Sequence, residues 1–144
     1  MTADPMDVAR RYDEAYNAKD VQGRKNLLSP DTELEMPGGM HLNGLDQVLQ
    51  IESVFWEAIP DGQIKRTKEF VAGDTVIVEG VMTGAHTGPF RMPQAEIPPS
   101  GNPVNLRYAS VKRIVDGKLV SERLYFDQME LMIQLGAMPA PGQA

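Results

Sequence analysis

A chain of 144 residues, 42% hydrophobic and 24% charged, has the length and composition of one folded domain with a sizeable core. The net charge of −6, with basic residues in short groups such as Arg10–Arg11 and Lys65-Arg66, lacks the clustered cations that a phosphate backbone requires, so no nucleic-acid partner is expected. Cysteine is absent, which removes disulfides, thiolate nucleophiles and Cys-ligated metals.

From the N-terminus, Asp4-Pro5 is a helix start, with Val8, Tyr12, Ala15 and Tyr16 on one face at helical spacing. Asp20 can cap a second, shorter helix that Ser29-Pro30 stops. DTELEMP alternates Thr32, Leu34 and Met36 with charges and suits a short strand; GGMHLNG reads as a loop carrying a solvated His41. A third helix follows from about Gly44 to Ala58, its inner face holding Leu45, Val48, Ile51 or Glu52, Phe55, Trp56 and Ile59.

The period then changes to two. Ile64–Ala72 and Thr75–Thr87 are strands across the turn Gly73-Asp74. Five prolines between Pro89 and Pro103 exclude a regular central strand there. Val104–Val115 and Lys118–Phe126 form a hairpin across Asp116-Gly117 and lead into a short helix at Gln128–Leu135; PAPGQA is a loose tail. Helices first and a mostly antiparallel sheet after them make an α+β fold. Gly80 and Gly84 permit the long strand to bend, so the sheet should curve round the helices and leave a conical cavity for a small molecule.

Alternation divides the last strand into Leu119, Ser121, Arg123, Tyr125 and Asp127 on one face, and Val120, Glu122, Leu124 and Phe126 on the other. The long strand divides likewise, with Val76, Val78, Gly80, Met82, Gly84 and His86 as one set. Periodicity does not say which set is concave.

Several motifs carry a resemblance. YFDQMELMIQLG (Tyr125–Gly136), YNAKD (Tyr16–Asp20), GAHTGPF (Gly84–Phe90), PPSGNPV (Pro98–Val104) and DGKLVSE (Asp116–Glu122) resemble the SnoaL-like polyketide cyclases of the nuclear transport factor 2-like superfamily, in order and over nearly the whole chain. The resemblance implies a cone-shaped barrel in which a strongly curved, mostly antiparallel sheet wraps three N-terminal helices and a short C-terminal helix follows. It also implies a single domain over 1–144 with a tail from 137, a homodimer through the outer sheet face, and cofactor-free acid–base closure of a ring by an aldol step.

By motif position the catalytic aspartate implied is Asp127, with His86 as a proton shuttle or carbonyl donor and Tyr16, Trp56, Met82, Tyr108 and Tyr125 around a small hydrophobic carbonyl substrate. Asp127 is equally well placed as the cap of the last helix, His86 as a hydrogen-bonded strand-end residue, and Tyr16 and Trp56 as core; these roles do not exclude one another. Met36 stands where the ketosteroid isomerases of the superfamily carry a catalytic Asp, which disfavours their mechanism. A non-catalytic binding or dimerisation module of the same fold is the alternative. The apolar strand face bearing Val120, Leu124 and Phe126 is the expected dimer surface.

No metal site is expected, because the two histidines are far apart and no His-x-His or Glu-x-x-His spacing occurs. MTADPMDVARR has no secretory h-region, and no apolar run reaches a membrane span, so a cytoplasmic protein without a membrane partner is expected.

Overall fold

A computed structural model describes residues 4–93 and 95–142; the last two residues of the tail, Gln143 and Ala144, lie outside the described residues. Helix α1 (Pro5–Asn17) starts where expected, with Pro5 in its first turn and the Asp4 side chain accepting from Met6 N at 3.1 Å. Helix α2 (Val21–Leu27) is capped by Asp20, whose Oδ1 accepts from Gly23 N at 2.9 Å. Strand β1 (Leu28–Met36) follows without a loop. Its pairing with the last strand is interrupted between Leu28 and Glu33, so Pro30 sits where no regular ladder runs.

GGMHLNG differs from the expected loop: Met40–Asn43 is an edge strand, β2, paired with β1 and leaving His41 exposed. Helix α3 (Leu45–Ala58) buries Val48, Ile51 and Glu52. Strands β3 (Gln63–Ala72) and β4 (Thr75–Ala85) follow. The proline-rich stretch holds two three-residue strands, β5 (Phe90–Met92) and β6 (Ala95–Ile97), paired with each other. Strands β7 (Pro103–Val115) and β8 (Lys118–Tyr125) and helix α4 (Gln128–Gln134) complete the chain.

The six-stranded sheet runs β2-β1-β8-β7-β4-β3, antiparallel except where β1 lies parallel to β8. This is the α+β cone read from the sequence. β3 shifts register between Arg66 and Lys68, opposite Gly80 of β4. A Cβ on Gly80 would stand 2.6 Å from both Lys65 O and the Tyr108 hydroxyl, so only glycine lets the chain and that phenol approach there.

A second irregularity corrects the face assignment on β8. Arg113 pairs with Ser121 but Ile114 pairs with Leu119, leaving Val120 as an extra residue. Leu119 therefore points to the core before the bulge, and Glu122, Leu124 and Phe126 point inward after it. Leu124 and Phe126 line the interior and not the outer face; Tyr125 is 54% exposed on the outside.

The three leading helices are tied by one side chain. Arg24 of α2 is buried, donates from Nη1 to Tyr12 O of α1 at 2.9 Å, and pairs through Nε (3.2 Å) and Nη2 with the carboxylate of Glu52 on α3. Its guanidinium stacks 3.5 Å from the Tyr12 ring centroid, and the Tyr12 hydroxyl donates to Glu52 Oε1 at 2.9 Å. Removing one partner of such a pair strands the other charge in the interior. Arg24→Met should therefore cost about 3–5 kcal/mol in urea unfolding. Arg24→Met/Glu52→Leu should recover much of that loss; a single variant within about 1 kcal/mol of wild type would show that the clamp does not hold the helices.

Candidate active site

The curved sheet does not close on the helices, and a cavity of about 100 Å³ remains between α1, α3 and the inward faces of β4, β7 and β8. Its walls are apolar: Leu34, Met36, Phe55, Met82, Leu106 and Phe126 all face it. At one end the lining changes to Tyr12, Asp13, Arg24, Glu52, Tyr108, Lys112 and Glu122. A wider space of about 310 Å³, bounded by Met40, Phe90, Met92, Ile97 and Met132, shares Met36, Ile51, Phe55 and Phe126 with the first, so the two adjoin across these side chains.

The polar end is a buried charge network. Lys112 is 2% exposed; its Nζ donates to Ser110 Oγ at 2.7 Å and lies 3.3 Å from Glu122 Oε2 and 4.0 Å from Asp13 Oδ1. Asp13 Oδ2 is 3.8 Å from Arg66 Nη1, which is too long for a hydrogen bond. Asp13 Oδ2, Arg66 Nη1 and the Tyr108 hydroxyl are buried without a partner. Thr32 Oγ1, Trp56 Nε1 and His86 Nε2 are likewise unpartnered, but among these six atoms Asp13 Oδ2 and the Tyr108 hydroxyl are the two on residues that line the cavity. Buried polar atoms are normally paired, so these two leave a place for a further group there.

Burial raises the pKa of Tyr108 well above the ordinary phenol range, and the charges of Asp13 and Glu122 push it the same way. Burial also lifts Tyr16 to about 12 and Tyr12 well above its ordinary value. The three phenols remain hydrogen-bond donors at neutral pH.

The residues expected from the sequence separate into two groups. Tyr16, Met82 and Tyr108 come together in the cavity wall, where the Tyr16 hydroxyl lies 3.9 Å from Met82 Sδ. Trp56 stacks behind Tyr16 at a centroid distance of 5.4 Å, outside the lining. Asp127 is exposed, and its Oδ1 accepts from Met129 N at 2.9 Å and Glu130 N at 3.2 Å, capping α4. His86 is fully buried away from both chambers, with Nδ1 2.9 Å from Ser100 Oγ and 3.3 Å from Ser100 N. Tyr125 lies on the opposite face of the sheet.

Asp13, Arg24, Lys112 and Glu122 were not singled out from the sequence. Their signal was present as charges in phase with apolar side chains: Lys112 on β7 with Leu106, Tyr108 and Ile114, and Glu122 on β8 with Leu124 and Phe126. Among the described residues, no three His, Asp or Glu side chains converge as a metal site would require, and no helix is long and apolar enough to cross a membrane.

Comparison with known proteins agrees with this architecture. The sequence profile of the SnoaL-like polyketide cyclases matches residues 6–135. A SnoaL-like protein from Jannaschia sp. CCS1, described as a candidate polyketide cyclase, is 25% identical, with a TM-score of 0.82 over 94% of this chain and 93% of its own. IdmH from Streptomyces antibioticus, also a candidate polyketide cyclase, is 23% identical with a TM-score of 0.78 over 93% of this chain and 99% of its own. AclR from Streptomyces galilaeus, a candidate hydroxylase, is 21% identical with a TM-score of 0.82 over 99% of this chain and 87% of its own. No curated protein matches the chain in sequence.

The raised phenol pKa values set an alkaline limit. Each buried tyrosine holds its proton more tightly folded than unfolded, so its contribution to stability is complete below the unfolded value of 10.0 and is lost as pH rises towards the folded one, about 12 for Tyr16. Absorbance titration should show Tyr12, Tyr16 and Tyr108 un-ionised at about pH 11 while the protein stays folded, with their ionisation coinciding with unfolding. Reversible ionisation of all four tyrosines near pH 10 in the folded protein would contradict the buried placement.

Proposed function

We propose that this chain, which belongs to the SnoaL-like polyketide cyclase family, is a cofactor-independent acid–base enzyme acting on a small hydrophobic carbonyl compound, with Asp13 as the base and Tyr108 as the carbonyl donor. The observation that carries this reading is the pair of buried, unpartnered atoms, Asp13 Oδ2 and the Tyr108 hydroxyl, at the polar end of an otherwise apolar cavity. A carboxylate beside a carbonyl-bearing carbon can take its proton, and a phenol that stays protonated can donate to the oxygen as it gains charge. The enolate so formed can add to a second carbonyl of the same molecule, closing a ring, or be reprotonated elsewhere as an isomerisation. Lys112, between Asp13 and Glu122, supports the charge on both carboxylates.

This places the proton transfer on α1, because the Asp127 carboxylate is engaged by two backbone N–H groups outside the cavity. The two aspartates can be compared directly. With a hydrophobic methyl ketone in deuterated water, exchange of the protons next to the carbonyl is followed by NMR. Asp13→Asn should lower the exchange rate by about 10²–10⁴-fold and Tyr108→Phe by about 10²–10³-fold, with Asp127→Asn within a few-fold of wild type. Full activity in Asp13→Asn would remove the role from Asp13, and loss only in Asp127→Asn would return it to Asp127. Absence of exchange in the wild type would favour a binding module.

The assembly proposed is a cytoplasmic homodimer. On the outer sheet face, Ile77, Val111 and Arg123 share one row of register and Glu79, Ala109 and Tyr125 the next. That stripe is apolar at its centre and carries both signs of charge, as a two-fold interface needs. Sedimentation at micromolar concentration should give a dimer, and Val111→Arg should shift it to monomer; a wild-type monomer would overturn the proposal.

A further inference from the structure

The charge pattern of the cavity restricts what can enter it, a conclusion that rests on reading this space as a small-molecule site. Four carboxylates and four cations meet on and behind its polar end. Arg24 is paired with Glu52, Lys112 with Glu122 at 3.3 Å, and Arg66 with Glu69 at 2.9 Å; Glu69 also takes Arg10 at 2.8 Å. The fourth carboxylate, Asp13, stands between Lys112 and Arg66 at 4.0 and 3.8 Å.

No cation in this group lacks a carboxylate. A ligand carboxylate or phosphate would be desolvated beside Asp13, Glu52 and Glu122, with no free positive charge to receive it. An ammonium would meet Lys112 and Arg24. Arg66 Nη1 is also unpartnered but belongs to a residue outside the lining, facing Asp13 at 3.8 Å, so what remains open in the described lining is one acceptor, Asp13 Oδ2, and one phenol, Tyr108. A single neutral hydroxyl can donate to the first and accept from the second, and an enolisable ketone does the same in its enol form.

The adjoining chamber sets the rest of the ligand. At about 310 Å³ it is roughly three times the first cavity, and among its described lining residues Gln128 is the one polar side chain. Four methionines, Met36, Met40, Met92 and Met132, face it. Unbranched thioethers adapt to the shape of an apolar guest without supplying a hydrogen bond that a polar one would need. Most of the ligand is therefore hydrocarbon.

We propose that the natural ligand is uncharged along its whole length, with a compact hydroxyl or enolisable carbonyl head at Asp13 and Tyr108 and a larger apolar tail in the methionine-lined chamber. The test is binding by calorimetry at pH 7 to the wild-type protein, with two probe series. In the first, acetylnaphthalene, naphthoate and naphthylmethylamine present a neutral, an anionic and a cationic head on one skeleton. The ketone should bind at least about tenfold tighter than either ion, since desolvating an unpaired charge costs more than the 1.4 kcal/mol that a factor of ten represents.

In the second, linear methyl ketones with chains from propyl to nonyl should gain roughly three- to fourfold in affinity per methylene until the methionine-lined chamber is full. Met92→Trp, or Ala95→Trp if the first does not fold, should remove the gain for long chains and leave the shortest ketone within about twofold. Equal or tighter binding of naphthoate or the amine, no dependence on chain length, or no binding by any probe would overturn the proposal. Loss of proton exchange with the neutral preference intact would sink the catalytic reading alone, and a charged preference with exchange intact would sink this one alone.

Discussion

The guanidinium of Arg24 is the contact on which the arrangement depends. Helix α2 has seven residues, too few to persist on propensity, and it buries one side chain, which is this arginine. Through it α2 holds the backbone of α1 and the carboxylate of α3. Burial alone would weaken its charge, but Tyr12 and Glu52 reverse that effect, so it stays a cation in the interior. If these helices moved apart, the cavity would lose its ceiling, and Tyr12, Asp13 and Tyr16 would lose their orientation over the sheet.

That clamp is satisfied, whereas the neighbouring wall is not. Glu52 accepts from Tyr12 and Arg24, a closed set of partners suited to a structural role. Asp13, one residue along the same helix from Tyr12, has one oxygen facing Lys112 and the other facing no donor within hydrogen-bond distance. Unmet polar atoms in an interior cost about 1–3 kcal/mol each, a cost that a polar group bound between Asp13 and Tyr108 would offset. The contrast between a closed network and an open one, side by side on α1, is the ground on which the proposal gives Tyr12 and Glu52 a structural role and Asp13 a chemical one.

Much of the fold was legible in the sequence because its signals are local. Asp4-Pro5, Asp20 and Asp127 cap helices where they stand, and the turn at Asp116-Gly117 sets the β7–β8 hairpin. The inward set of β4, from Val76 to His86, also follows simple alternation, since no bulge interrupts that strand's pairing with β7. β8 defeated the same rule. Its extra residue, Val120, reverses the phase, and nothing in KLVSERLY marks the bulge, which depends on how β7 presents its partners. The site was less legible for a related reason. Asp13 becomes a cavity residue only once β7 and β3 bring Lys112 and Arg66 to it from about one hundred and about fifty residues away, and no local pattern encodes that meeting.

The position of the acid–base group within a cone need not be tied to one strand. A motif fixes the backbone around Asp127, and a helix cap is sufficient reason for an aspartate there; its two N–H donors would hold the side chain in any chemistry. The cavity is lined by three helices and several strands, so a carboxylate introduced on any of them faces the same apolar interior. The cone by itself does not fix an activity. What dictates chemistry is which wall carries polar atoms that the fold leaves unpaired. In the proposed reading that wall is the one where α1 faces Tyr108 across the space opened by Gly80, and the constraint on Gly80 is steric, with the Lys65 carbonyl and the phenol each at 2.6 Å from where a side chain would begin.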